Sequence, residues 1–301
     1  MKAALAAAAA AASLLLAAPT APAAEPQRRA PDDPHRWTLR SAKTIPPAYW
    51  QGVAPLPNGG LVFSGFVGLF RTDASLRERI NVGVVIPQPV VDAEGYNHVG
   101  DLTYDRAENG RLLLPLECYT PGQPNGGNTC GTGSFGVADP RTLAWRYHVK
   151  LDPAFIRKAM WVEISPDGRS LWTQAGPDLL RYRTADVHAG QTQPIRPVQR
   201  LKGAASMGQY TGATFHRGRL IAAIGRERAL QVWSIDPRTG RRRLEISRRI
   251  RGESEGLATV DGRLHWTIMP AAPGGTTPTY GAGKGAMLTF SRAPARARAP
   301  R

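Results

Sequence analysis

The strongest constraint on this chain is a segment form that returns five times. In each case a small or polar start leads into a short β-rich run, a tight turn and a second apolar run. The copies are QGVAPLPNGGLVFSGF from Gln51, HVGDLTYDRAENGRLLLPLE from His98, WVEISPDGRSLWTQAG from Trp161, YTGATFHRGRLIAAIG from Tyr210 and ESEGLATVDGRLHWTIM from Glu253. With Val53, Leu102, Val162, Ala213 and Leu257 taken as equivalent, the spacings are 49, 60, 51 and 44 residues. Asn58-Gly59, Asn109-Gly110, Asp167-Gly168 and Asp261-Gly262 are hairpin dipeptides, because Asn, Asp and Gly tolerate positive φ. A third run follows in most units and ends in another turn, as in GVADPRTL (136–143) and VWSIDPRTG (232–240). Each unit is therefore a β-meander. Convincing amphipathic helices are absent, and residues 154–160 suffice for a turn or two. The 32 glycines and 26 prolines exclude a helical bundle, and the 42% hydrophobic content excludes a disordered chain.

Four-stranded units of this length in series are the pattern of a β-propeller. The expected fold is all-β, with five blades fitting comfortably and six with difficulty. The last unit shows three runs, and the segment RWTLRSA (36–42) can supply its missing outer strand, closing the ring and leaving no open sheet edge. The expected layout is a leader at 1–23, an N-terminal segment with the closing strand at 24–45, the propeller at 46–291 and a disordered Arg/Ala/Pro tail at 292–301. A β-sandwich or two small β domains are the alternatives. WVEISPDGRSLW and ESEGLATVDGRLHW resemble inner-strand hairpins of exported bacterial β-propellers, the broad YncE-like and gluconolactonase-like group. The resemblance implies architecture and no particular activity, since propellers host hydrolases, lyases, isomerases and binding modules.

Residues 1–23 have the form of a secretory signal peptide, with Lys2, an Ala/Leu run and a small-x-small site at Ala21-Pro22-Ala23. No later stretch reaches membrane-spanning length. Export makes Cys118 and Cys130, the two cysteines of the chain, a disulfide expectation, stapling a turn-rich loop.

In a propeller the inner strands surround the axis, so side chains at their starts converge from several blades. Gln51, Asn97, His98, Asp101, Trp161, Glu163, Tyr210, Glu253 and Glu255 occupy such positions and are polar for residues flanking core strands. Two chemistries fit. Glu255, Asp101, Glu163 and Asn97 offer the oxygen ligands of a Ca²⁺ site. Alternatively, Glu255 with Asp101 or His98 can act as acid and base on a glycan or lactone. Gln51, Trp161 and Tyr210 are candidate ligand contacts. The bland alternative is that these side chains hydrogen-bond strand starts, and a Trp at an inner edge is more often core. Glu163 also falls later in its unit than Glu255 does, so the two need not point alike.

Other motifs are weak. Gly131-Thr-Gly-Ser-Phe-Gly136 is not followed by a helix, as a dinucleotide site requires. The net charge of +16, much of it in the arginines of 238–251 and the C-terminal tail, favours anionic partners such as cell-wall polymers or acidic polysaccharides, or reflects solvated arginines of no consequence. No nucleic-acid-binding motif is present. The expectation is a secreted, monomeric propeller binding a carbohydrate or cell-envelope ligand at its central rim, with or without a divalent cation. A glycan- or lactone-active hydrolase or lyase and a protein-interaction scaffold remain alternatives.

Overall fold

The structure is a computed structural model that describes residues 37–107, 109–120, 127–227, 229–250, 252–270 and 284–292. The expected leader, and all of the expected tail beyond Arg292, lie outside them. The chain is a five-bladed β-propeller. It opens with β1 (Trp37–Ile45). Blade 1 follows as β2 (Gly52–Pro55), β3 (Leu61–Ser64), β4 (Leu69–Thr72) and β5 (Glu78–Val82), and then a short helix, α1 (Gln88–Glu94). Blade 2 has an inner strand in two pieces, β6 (His98–Val99) and β7 (Thr103–Asp105), with β8 (Arg111–Glu117), β9 (Ser134–Ala138) and β10 (Trp145–Lys150) outside. Blade 3 is β11 (Glu163–Ile164), β12 (Ser170–Ala175), β13 (Asp178–Arg183) and β14 (Gln199–Leu201). Blade 4 uses β15 (Tyr210–His216), β16 (Arg219–Ile224), β18 (Leu230–Ile235) and β19 (Arg242–Arg248), with the short β17 (Arg226–Glu227) crossing to blade 5. Blade 5 is β20 (Gly252–Val260), β21 (Arg263–Pro270) and β22 (Gly285–Arg292), completed by β1.

Ring closure is made by the N-terminal strand, as the sequence predicts. β1 runs antiparallel to β22 from Trp37↔Arg292 to Ile45↔Gly285, a longer pairing than residues 36–42 alone. Trp37 is buried, and its indole donates to Glu245 Oε2 of blade 4 at 3.0 Å. The closing strand therefore ties blade 5 to its neighbour as well.

Hydrophobic clusters fill all five interfaces between neighbouring blades. Between blades 1 and 2 Leu69 meets Leu112 and Leu114, and between 2 and 3 Phe135 meets Leu171 and Tyr182. Blades 3 and 4 join through Trp161, Trp172 and Tyr210, blades 4 and 5 through Val232, Ile246 and Trp266, and blades 5 and 1 through Met287 and Phe63. A sheet covered on both faces needs apolar residues at every position rather than at alternate ones. That explains why RLLLPLE of β8 is buried throughout.

The turns follow local rules. Asn109-Gly110 and Asp261-Gly262 both take positive φ at both residues, the hairpin conformation expected of such pairs. Blade 4 makes the same turn with Arg217-Gly218, where an arginine holds φ 51°. The two DPRT copies fold alike: Asp139 Oδ1 accepts the amides of Arg141 and Thr142, and Asp236 Oδ1 those of Arg238 and Thr239. The helix α1 was not expected. It has proline in its first turn and ends on Gly95 at φ 80°, standard start and stop signals in a segment too short to show a period.

Candidate functional site

The inner strands meet around one residue. Gly100 and Asp101 lie between β6 and β7, where the strand leaves its own ladder. The Asp101 amide donates to the Met160 carbonyl, and its own carbonyl accepts the Val162 amide, both at 3.0 Å, in a parallel bridge to blade 3. Its carboxylate accepts the amides of Val53 (2.9 Å), Ala213 (3.0 Å) and Leu257 (3.2 Å), from blades 1, 4 and 5. One aspartate therefore bonds to all four other blades. Four of the five positions matched by the repeat, Val53, Val162, Ala213 and Leu257, present their amides here.

Glycines make that approach possible. A Cβ on Gly52 would sit 2.6 Å from Asp101 Cα, one on Gly256 would sit 2.5 Å from Gly52 Cα, and one on Gly212 would meet the Glu255 carbonyl. The axis at this level is filled by backbone and by Asp101, not open. Burial pushes the Asp101 carboxyl well above the usual range, against the pull of its three amide donors. Asp101, expected as a rim acid or metal ligand, has both carboxylate oxygens accepting backbone amides on the axis.

Above this layer, where the inner strands begin, lies a polar rim. Gln51, His98, Glu117, Glu253 and Glu255 are all buried there. His98 Nδ1 is 2.6 Å from Glu117 Oε1, and Lys158 Nζ is 2.9 Å from Glu117 Oε2. Burial raises the Glu117 carboxyl, yet His98 and Lys158 outweigh it and hold it below the ordinary carboxylate range. The half-buried rings of Phe66 and Tyr119 flank His98 at centroid distances of 4.5 and 5.7 Å, and meet each other edge-on at 5.1 Å.

Asn97 is occupied in shaping the rim: its Nδ2 donates to the Tyr119 carbonyl at 3.0 Å and its Oδ1 accepts the Tyr119 amide at 2.7 Å. The adjacent Cys118 is disulfide-bonded to Cys130, Cα atoms 5.1 Å apart, which fixes the same segment from its other side. Lys158 also borders a 340 Å³ cavity between blades 3 and 4, with Met160, Gln174 and Gln209. Trp161 and Tyr210 are fully buried core residues, so they offer no exposed stacking face. Glu117, Lys158, Phe66 and Tyr119 were missed in the sequence. Glu117 ends an apolar run beside Cys118, and that one signal was available.

Below the axial layer, where the inner strands end, all five blades line a cavity of about 710 Å³. Glu163 faces it, half-buried, accepting the Phe215 amide at 3.1 Å and the Thr214 hydroxyl at 3.4 Å. Burial pushes its carboxyl up to about 7, against the hydrogen bonds from Thr103, Phe215 and Thr214. The four oxygen ligands expected for calcium are therefore not brought together. Asp101 is on the axis, Asn97 is engaged with Tyr119, and Glu163 lies on the opposite side of the axial layer from Glu255. Among the described residues no three His, Cys, Asp or Glu side chains gather as a metal ion would require.

No family model matches the chain, and no curated protein matches it. Among solved structures it is similar to the glutaminyl cyclase of Myxococcus xanthus, at TM-score 0.52 and 11% identity over 86% of this chain and 97% of that one. A luciferin-regenerating enzyme gives 0.48 and 15% over 80% and 77%, and the PQQ-bound aldose sugar dehydrogenase of Streptomyces coelicolor gives 0.44 and 13% over 86% and 99%. Likeness at these identities is likeness of fold.

Proposed function

We propose that the upper rim binds a polyhydroxylated ligand, a carbohydrate or related cell-envelope component, and that the protein is exported to reach it. The observation that carries this reading is the buried Glu117 holding His98 between two half-exposed aromatic rings. Sugars present hydroxyl groups to carboxylate, amide and imidazole partners and C–H faces to aromatic rings. His98, oriented by Glu117, and Gln51 supply the first kind of contact, and Phe66 and Tyr119 the second. Lys158, charge-paired with Glu117 but one-fifth exposed at its side chain, would receive an acidic substituent. The leader-like residues 1–23 and the Cys118–Cys130 bond support export, and no helix among the described residues is long and apolar enough to cross a membrane.

A second reading rests on the same pair. With Nδ1 of His98 turned to Glu117, the other ring nitrogen is left for a ligand, the arrangement of a base oriented by a carboxylate. Hydrolysis of a glycan or lactone would use His98 as that base.

Thermal melts with neutral and acidic oligosaccharides test the first reading. A ligand at about 100 times its Kd stabilises by roughly 2.7 kcal/mol, and His98→Ala and Tyr119→Ala should each reduce that gain. No shift with any oligosaccharide, or an unchanged gain in both variants, would overturn it. Turnover of the bound sugar or of a lactone by the parent but not by Glu117→Gln would establish the second reading; binding without turnover would sink it.

A further inference from the structure

We propose that the lower cavity is a second binding site, shaped for a small organic ammonium ion, with the Glu163 carboxylate as its anchor. It stands apart from the upper rim, from which the filled axial layer separates it.

The argument begins with charge. In a chain carrying 39 Lys and Arg, Glu163 meets neutral donors, the Phe215 amide and the hydroxyls of Thr214 and Thr103; the one basic residue among the described residues that line the cavity, Arg106, is exposed and makes no ion pair with Glu163. The other acids of the cavity are occupied. Asp105 is paired with Arg111 at 2.8 Å, and Asp167 accepts the Ser165 hydroxyl at 2.5 Å and the Arg169 amide at 3.1 Å. A carboxylate withdrawn from water without a counter-charge is costly, and a bound cation removes that cost.

The walls decide which cation. Val53, Pro55, Leu102, Phe215, Leu257 and Ala258 line the space above and around the carboxylate. Calcium asks for six to eight oxygens, and the further carboxylates of the lining, Asp105 and Asp167, are held by Arg111 and by Ser165 and Arg169. An ammonium group needs a carboxylate and a few further acceptors for its three N–H bonds, and its alkyl part gains from apolar walls. The volume of about 710 Å³ accommodates such a molecule with room at the mouth.

The test titrates the full chain with n-pentylammonium, with n-pentanol and with calcium chloride in separate experiments. The ammonium should bind saturably and move the Phe215 amide resonance, while the alcohol should neither bind comparably nor displace it. Glu163→Gln should weaken ammonium binding by about 30-fold or more, the usual consequence of removing one member of a buried charge pair. His98→Ala should bind the ammonium as the parent does. Absence of saturable binding at millimolar ammonium, unchanged affinity in a folded Glu163→Gln variant, or Glu163-dependent binding of calcium in place of ammonium would each overturn the assignment. Should Glu163→Gln not fold, the Phe215 resonance of the parent decides: no movement refutes the site.

Discussion

At the scale of single residues, two carboxylates on neighbouring blades, one buried and one half-buried, do different work. Asp101 gathers three backbone N–H groups, each of which would be orphaned in Asp101→Ala. An unsatisfied buried donor costs about 1–3 kcal/mol, so this variant should lose about 3 kcal/mol or more in urea unfolding; a loss below about 1 kcal/mol would show that the axis does not depend on the side chain. Glu163 instead carries a pH signature. Burial pushes its carboxyl up to about 7 in the folded chain, against about 4.3 in the unfolded one. Between those values the folded chain binds more protons than the unfolded one, so the contribution of Glu163 to stability declines as pH rises through that window. Unfolding midpoints measured from pH 4.5 to 8 should fall more steeply for the parent than for Glu163→Gln. Parallel curves would refute the shift. Burial is the main cause of the Asp101 shift and Glu163 a minor one, so the comparison removes most of its share.

At the scale of elements, β1 is the part whose loss the ring should feel most. It supplies the outer strand of blade 5 and, through Trp37, a hydrogen bond to Glu245 of blade 4. Trp37→Ala removes a buried indole from the core between those blades, and large-to-small changes of this kind cost about 3–5 kcal/mol. Chemical denaturation reads that loss, and a change within about 0.5 kcal/mol, typical of surface sites, would contradict the placement of β1. Most of the element pattern was legible beforehand. The NG and DG dipeptides fix hairpins through nearest-neighbour φ preferences, and DPRT makes the same aspartate-capped turn in blades 2 and 4 because no bond in it spans more than five residues. The break between β6 and β7 was not legible. Gly100-Asp101 leaves its ladder to satisfy amides on other blades, and those partners lie 48, 112 and 156 positions away.

At the scale of the whole molecule, the propeller has no natural end. Trp37 pairs with Arg292, so the two ends of the described ring are neighbours. A circular permutant joining them and opening instead at the exposed Asp167-Gly168 turn should fold with a single unfolding transition near that of the parent. Two separated transitions would mean that blades unfold independently, against the tying of all five through Asp101.

By itself the sequence pointed to the blades, to five as the number that fits most comfortably, to the strand that closes them and to the disulfide. Each of these is written in short-range alternation, turn chemistry, repeat spacing or an unpaired outer strand. Only the tertiary structure decided which polar residues share a site. A strand rises about 3.3 Å per residue, so a shift of two or three positions carries a carboxylate from one side of the axial layer to the other. Glu255 and Glu163 are separated in that way, although both sit on inner strands. His98 acquires its partners from Glu117, 19 residues on, and through it from Lys158, 41 residues further. Such distances are set by how the ring closes, and no local preference encodes them.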